Sequence, residues 1–140
     1  MSETGETSAP TASKEPAHWP LVTLLLGSGT IHLAAPQLYE GMIPKSLGAP
    51  RPWVTWSGVV ELGIGAALLS RRTRRPAALA AAALFAGVFP GNVTMAAKAL
   101  RSSRASTAWK AATLARLPLQ VPMVTQSLKV ARAQKPSQRG

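Results

Sequence analysis

The chain has no cysteine and no aspartate, and glutamate supplies its only five carboxylate side chains in 140 residues. Without cysteine it can form no disulfide, thiolate nucleophile, iron–sulfur cluster or cysteine-ligated zinc, so any thiol chemistry belongs to a partner. Without aspartate, and with His18 and His32 too far apart to pair on a helix, a protein-only metal site is not expected. Aromatic residues are also few: four tryptophans, two phenylalanines and one tyrosine.

Charge of either sign is missing over the longest stretches. Residues 16–39 and 76–97 hold no Lys, Arg or Glu, 52–70 hold only Glu61, and 111–128 hold only Arg116. A helix rises about 1.5 Å per residue, so roughly 20 residues cross a hydrocarbon core of about 30 Å, and each window is long enough to span. The expected fold is all-α: a four-helix transmembrane bundle with helices at about 19–39, 53–70, 76–98 and 108–130, making one domain over 18–132. The fourth contains Pro118, Pro122, Gln120 and Gln126, which leaves an interfacial amphipathic helix over 105–116 as its alternative. Trp19, Tyr39, Trp53, Trp56 and Trp109 sit near the proposed ends, where amphipathic rings favour the headgroup level.

The flanks differ in kind. Residues 1–17, rich in Ser, Thr, Glu, Pro and Ala, and the basic tail 133–140 cannot bury enough apolar surface to offset chain entropy, and both are expected to be disordered. The N-terminus is acidic before the first apolar run and shows no small-residue cleavage site, so the first span is expected to stay as an anchor.

The net charge of +11 and pI near 11.7 would ordinarily raise nucleic acid as a partner. The cations instead fall in connectors and tails, with no recognition helix or aromatic-interleaved basic face, so no nucleic-acid partner is expected. With four spans, Lys14, Arg71, Arg72, Arg74, Arg75, Lys129, Arg132, Lys135 and Arg139 share one side. Lys45, Arg51, Lys98, Arg101, Arg104 and Lys110 share the other, nine cations against six. The positive-inside rule then places both termini of a multi-pass cell-membrane protein in the cytoplasm.

Inside the apolar windows lie His32, Glu61 and Arg116, costly residues at membrane depth that mark function or an internal pair. Counted from the end shared by the first and third connectors, His32 lies seven residues below Tyr39, Glu61 eight below Trp53, Asn92 six below Lys98 and Arg116 seven below Trp109. At about 1.5 Å per residue this puts all four roughly 9–12 Å beneath one membrane face. Ser57 and Gln120, each four positions from a charge on its own helix, offer Glu61 and Arg116 hydrogen-bonding neighbours. The polar-layer candidates are therefore His32, Ser57, Glu61, Asn92, Arg116 and Gln120, with no residue assigned as catalytic.

Gly87 and Gly91, spaced i, i+4 in GVFPG, would allow close helix approach, and Pro90 frees the carbonyl of Ala86. Pro118 and Pro122 likewise free the carbonyls of Leu114 and Pro118. The GSGTIH run at 27–32 lacks the third glycine and the preceding strand of a dinucleotide-binding turn, and its small residues fit helix packing instead.

Four segments, GSGTIHLAAPQLYEGMIP at 27–44, SGVVELGIGAALLSRRTRRPAA at 57–78, LFAGVFPGNVTMA at 84–96 and RLPLQVPM at 116–123, give the chain a resemblance to the DoxX-like membrane proteins. The resemblance covers about residues 19–130 and implies a four-helix integral membrane protein. Its motif positions fall on His32 and Pro36, on Ser57, Gly58 and Glu61, on Pro90, Asn92 and Met95, and on Arg116, Pro118 and Gln120. Some DoxX-like proteins are linked to quinone-coupled sulfur oxidation or thiol-redox complexes.

The leading expectation is an accessory membrane subunit without independent catalytic activity, holding a lipophilic ligand such as a quinone and coupling it to a soluble redox partner or oxidoreductase subunit. The chain itself supplies no electron carrier. The alternative is a non-catalytic scaffold or small-molecule permeation subunit, with Glu61 and Arg116 as a structural ion pair.

Overall fold

The computed structural model describes residues 15–134, and these are helical throughout apart from short connectors. Four α-helices, α1 (Trp19–Ala34), α2 (Pro50–Leu69), α3 (Arg74–Arg101) and α4 (Thr107–Ala133), are joined by connectors. The first connector contains three 3-10 turns, Pro36–Leu38, Glu40–Met42 and Lys45–Leu47. Helices α2 and α3 are each long and apolar enough to cross a membrane, and α1 joins them only if taken together with Pro36–Met42. Helix α4 has the length but not the apolarity, and it runs unbroken through Pro118 and Pro122 rather than stopping as an interfacial helix over 105–116.

The first helix is shorter than its uncharged window. Pro36 biases Ala35 away from helical geometry, and Ala35 adopts φ −139° and ψ 59°. The chain then turns by 102° into the segment Pro36–Met42. The expected helix over 19–39 therefore ends five residues early, and the remainder folds back towards the helices. Gly48, at φ +81°, makes the left-handed turn before α2, and Trp53 Nε1 donates to the Leu47 carbonyl at 3.0 Å.

Helices α1 and α2 pack closely, as do α3 and α4, while α2 and α3 touch less and α1 barely meets α4. The α1–α2 crossing is a glycine contact. A Cβ on Gly29 would lie 2.8 Å from the Gly58 carbonyl oxygen, and one on Gly58 would lie 2.8 Å from His32 Cβ. Small residues in 27–32 do serve packing, but through Gly29 and not Gly27, which has open space around it. Gly87 also has open space, and Gly91 meets only Met42 Cε, so the close approach expected of GVFPG occurs on α1 and α2 instead.

Core and polar layer separate along the helix axes. Leu21, Val22, Leu25, Leu68, Ala77, Ala78, Ala81, Phe85, Val130 and Ala131 form one cluster near the end where α1 and α3 begin and α2 and α4 finish. Alanines on α3 bring neighbours near enough for dense van der Waals contact. At this end Arg74, only 5% exposed, donates from Nε to the Leu68 carbonyl at 2.9 Å and from Nη2 to the Leu69 carbonyl at 3.2 Å. It thereby caps the last turn of α2, whose carbonyls have no intrahelical donor. Its Nη1 also lies 3.5 Å from Glu15. Nearby, the His18 imidazole is held below its ordinary pKa by desolvation first and by Arg74 next.

Most of the segments expected to be disordered, 1–14 and 135–140, lie outside the described residues. The parts that are described are docked: Glu15 reaches Arg74 and Gln134, and Gln126 Nε2 donates to the Ala17 carbonyl at 2.7 Å. These contacts gather the N-terminal segment, the α2–α3 turn and the end of α4 at one end of the molecule.

Large apolar side chains on all four helices are exposed. Trp56 and Val121 are each 66% exposed, whereas Glu61, Asn92 and Gln120 are buried. That distribution inverts the pattern of a water-solvated domain and is consistent with a membrane protein.

Two outcomes follow. Gly58→Ala should destabilise the detergent-solubilised protein by about 1–3 kcal/mol through overpacking, while Gly27→Ala leaves it unchanged or stabilised. Equal melting temperatures for the two variants would contradict the glycine crossing. Arg74→Met should cost about 1.5–3 kcal/mol by uncapping α2, and Arg74→Lys, lacking the fork, should restore only part of it in the same thermal measurement.

Candidate functional site

The opposite end is polar inside. The fold-back lays Tyr39 against His32 with ring centroids 3.9 Å apart, where a straight helix would have separated them by about 10 Å. The Gly29–Gly58 crossing brings α2 beside His32, and His32 Nδ1 lies 3.3 Å from Glu61 Oε2. The approach is close but misdirected: neither atom gains a satisfactory hydrogen bond from the other, and both are buried.

Glu61 and Arg116 do not form the expected ion pair. Glu61 faces His32, while the Arg116 guanidinium carbon lies 5.6 Å from the Tyr39 ring centroid, within cation–π range. Tyr39 is thus not at a helix end as an interfacial ring, and the sequence signal for its displacement is Pro36, three residues before it.

Two amides link α3 and α4. Asn92 Nδ2 donates to Gln120 Oε1 at 2.8 Å, and Gln120 Nε2 donates to the Phe85 carbonyl. Pro90 has no N–H to give the Ala86 carbonyl, but the carbonyl that accepts from Gln120 is that of Phe85. Gln120 therefore serves the α3–α4 contact and not Arg116, and no hydrogen bond joins Ser57 to Glu61 among the described residues. Asn92 Oδ1 is buried and unpartnered.

These groups meet around a cavity of about 230 Å³ whose wall includes His32, Tyr39, Ser57, Glu61, Asn92 and Arg116. Met42, Ile43 and Pro44 of the folded-back connector contribute to it, as do Trp53, Gly87 and Gly91. Lys98 Nζ fixes the connector by donating to the Gly41 carbonyl at 2.6 Å. An adjoining cavity of about 490 Å³ shares Tyr39, Glu61, Asn92 and Arg116 and continues between α1, α3 and α4 along Leu25, Ile31, Phe85, Leu119 and Met123. It occupies the gap where α1 and α4 barely touch. Five of the six polar-layer candidates thus line the smaller cavity, and Gln120 lines the larger. No cluster of three His, Cys, Asp or Glu side chains suited to a metal occurs among the described residues.

Chemically, the wall offers a carboxylate, an imidazole, a guanidinium, a phenol and an amide oxygen at the head of an apolar slot. Orientation by a few placed polar groups within an apolar surround is the usual make-up of a small-molecule site, and the larger cavity falls within the roughly 300–1,000 Å³ such sites span.

Fold and site together define an all-helical protein with two or three helices apolar enough to cross a membrane and a polar-headed internal cavity. A family model described as a domain of unknown function, DUF8561, matches residues 21–131, and the chain belongs to that family. The match takes in every candidate site residue. No curated protein and no solved structure gives a match.

Gln120→Leu should destabilise the protein by about 1–3 kcal/mol, because it strands the Asn92 amide and the Phe85 carbonyl. Adding Asn92→Leu should recover part of that loss in a double-mutant cycle read by thermal unfolding in detergent. Strictly additive losses would contradict the amide link.

Proposed function

We propose that this chain is a multi-pass membrane protein of DoxX-like type, a four-helix transmembrane bundle whose polar-headed cavity holds a lipophilic ligand such as a quinone. The observation that carries this reading is that the two cavities share a wall made by Tyr39, Glu61, Asn92 and Arg116. The smaller offers polar partners for a headgroup, and the larger, lined mostly by apolar side chains of α1, α3 and α4, offers room for a tail where α1 and α4 touch little.

In this reading Arg116 donates to a headgroup oxygen, His32 and Glu61 accept or supply protons, and Tyr39 and Trp53 flank the ring. The chain acts as an accessory subunit: a soluble redox partner or oxidoreductase subunit supplies the electrons. It resides in the cell membrane with both termini cytoplasmic, an orientation supported by the arginine-rich α2–α3 turn lying at the same end as Glu15 and Gln134. The alternative of a purely structural polar layer is weakened by its own central pair, since Glu61 and Arg116 do not bind each other.

Titration of the detergent-purified protein with a short-chain quinone should quench tryptophan fluorescence saturably, because Trp53 lines the cavity. Arg116→Gln should weaken the apparent affinity by about tenfold, the loss of one charge-assisted hydrogen bond to a ring carbonyl. An unrelated membrane protein titrated in parallel reports partition into detergent. Linear quenching in the native protein and the variant alike would overturn the ligand reading.

A further inference from the structure

The unpaired atoms at the cavity wall specify which form of ligand fits. A backbone carbonyl only accepts, so Gln120, bonded to the Phe85 carbonyl, must present its Nε2 there and its Oε1 to the other side. Asn92 must then present Nδ2 to that oxygen, which fixes its own Oδ1 as the remaining, unpartnered acceptor. The polarity of Asn92 is thus dictated from α3 backbone outward and cannot be reversed without breaking a buried hydrogen bond. Glu61 Oε2, on the same wall, is a second buried oxygen without a hydrogen bond. Arg116, a pure donor, faces the same space.

We propose that the site selects a lipophilic ring carrying hydroxyl groups, with hydrogen-bond donors directed to Asn92 Oδ1 and Glu61, over the same ring carrying carbonyls. This rests on the ligand reading above and sharpens it. A hydroxyl donates to Asn92 or Glu61 and still accepts from Arg116. A carbonyl accepts from Arg116, or from the Tyr39 and Ser57 hydroxyls, but donates to nothing and leaves both buried oxygens unpaired, which is the costly outcome when polar groups are desolvated. For a two-electron ring couple, the reduced dihydroxy form is therefore held more tightly than the oxidised dicarbonyl form. Tighter binding of the reduced form makes the bound couple easier to reduce.

The test uses the full chain in lipid nanodiscs under anaerobic conditions. Three short-chain probes are titrated: a benzoquinone, its quinol, and the quinol's dimethyl ether, which keeps the ring but has no donor. The quinol should bind about tenfold more tightly than the quinone, a difference equivalent to about +30 mV in the potential of the bound couple. The dimethyl ether should bind no better than the quinone. Glu61→Gln, which replaces one acceptor oxygen by an amide donor, should narrow the quinol advantage. Saturable quinone binding that equals or exceeds quinol binding would overturn the donor preference while leaving the ligand reading intact, as would dimethyl ether binding as tight as the quinol. Absence of saturable binding by any probe would overturn both.

Discussion

The end of α1 at Ala34 is the constraint on which the internal site depends. Pro36 disfavours helical geometry at Ala35, and the chain that would have continued along the α1 axis turns through 102° and crosses the end of the helices instead. Tyr39 is thereby carried onto His32 and beneath the Arg116 guanidinium, and Met42, Ile43 and Pro44 become wall rather than loop. Had α1 run straight to residue 39, the polar side chains of α1, α2 and α4 would share a level but Tyr39 would not lie against both His32 and Arg116.

The two ends of the molecule handle polarity in opposite ways. Where Glu15, Ala17 and Gln134 gather, apolar side chains and α3 alanines pack densely, and the buried cation Arg74 spends its donors on the carbonyls that end α2 and faces a carboxylate. At the other end, buried polar atoms are brought together without completing one another's hydrogen bonds. Unpaired groups of this sort ordinarily cost about 1–3 kcal/mol each. Of the α3–α4 amides Gln120 is satisfied at both ends, while Asn92, which lines both cavities, keeps a buried and unpartnered Oδ1 that a ligand could complete.

Much of this was legible in the sequence because charge is a strong signal where there is little of it. The uncharged windows located α2, α3 and α4 to within a few residues, and the stranded residues His32, Glu61, Asn92 and Arg116 do reach one cavity. Prolines were the ambiguous signal. Pro36 ends a helix, while Pro90, Pro118 and Pro122 lie inside helices that continue, held by packing between α3 and α4. Local sequence is the same kind in each case, and tertiary contact decides. Pair identities were equally hidden: helix rotation, set by Gly29 against Gly58, gave Glu61 to His32 rather than to Arg116. Arg74 was indistinguishable from its neighbours in the arginine run, since only the geometry of the α2–α3 turn selects which of them bends back to the carbonyls.

The fold-back itself is open to direct measurement because the chain has no cysteine of its own. Met42 Cε lies 3.3 Å from the position of a Cβ on Gly91, so a protein carrying both Met42→Cys and Gly91→Cys should be bridged within the chain by a short bifunctional thiol reagent in native membranes. Neither single variant should be bridged. A helix continuing past Ala34 would carry residue 42 about 12 Å further along its axis, out of reach. Rapid intramolecular cross-linking of the double variant is the result this account predicts, and its absence, with both thiols shown to be accessible to a monofunctional reagent, would contradict it.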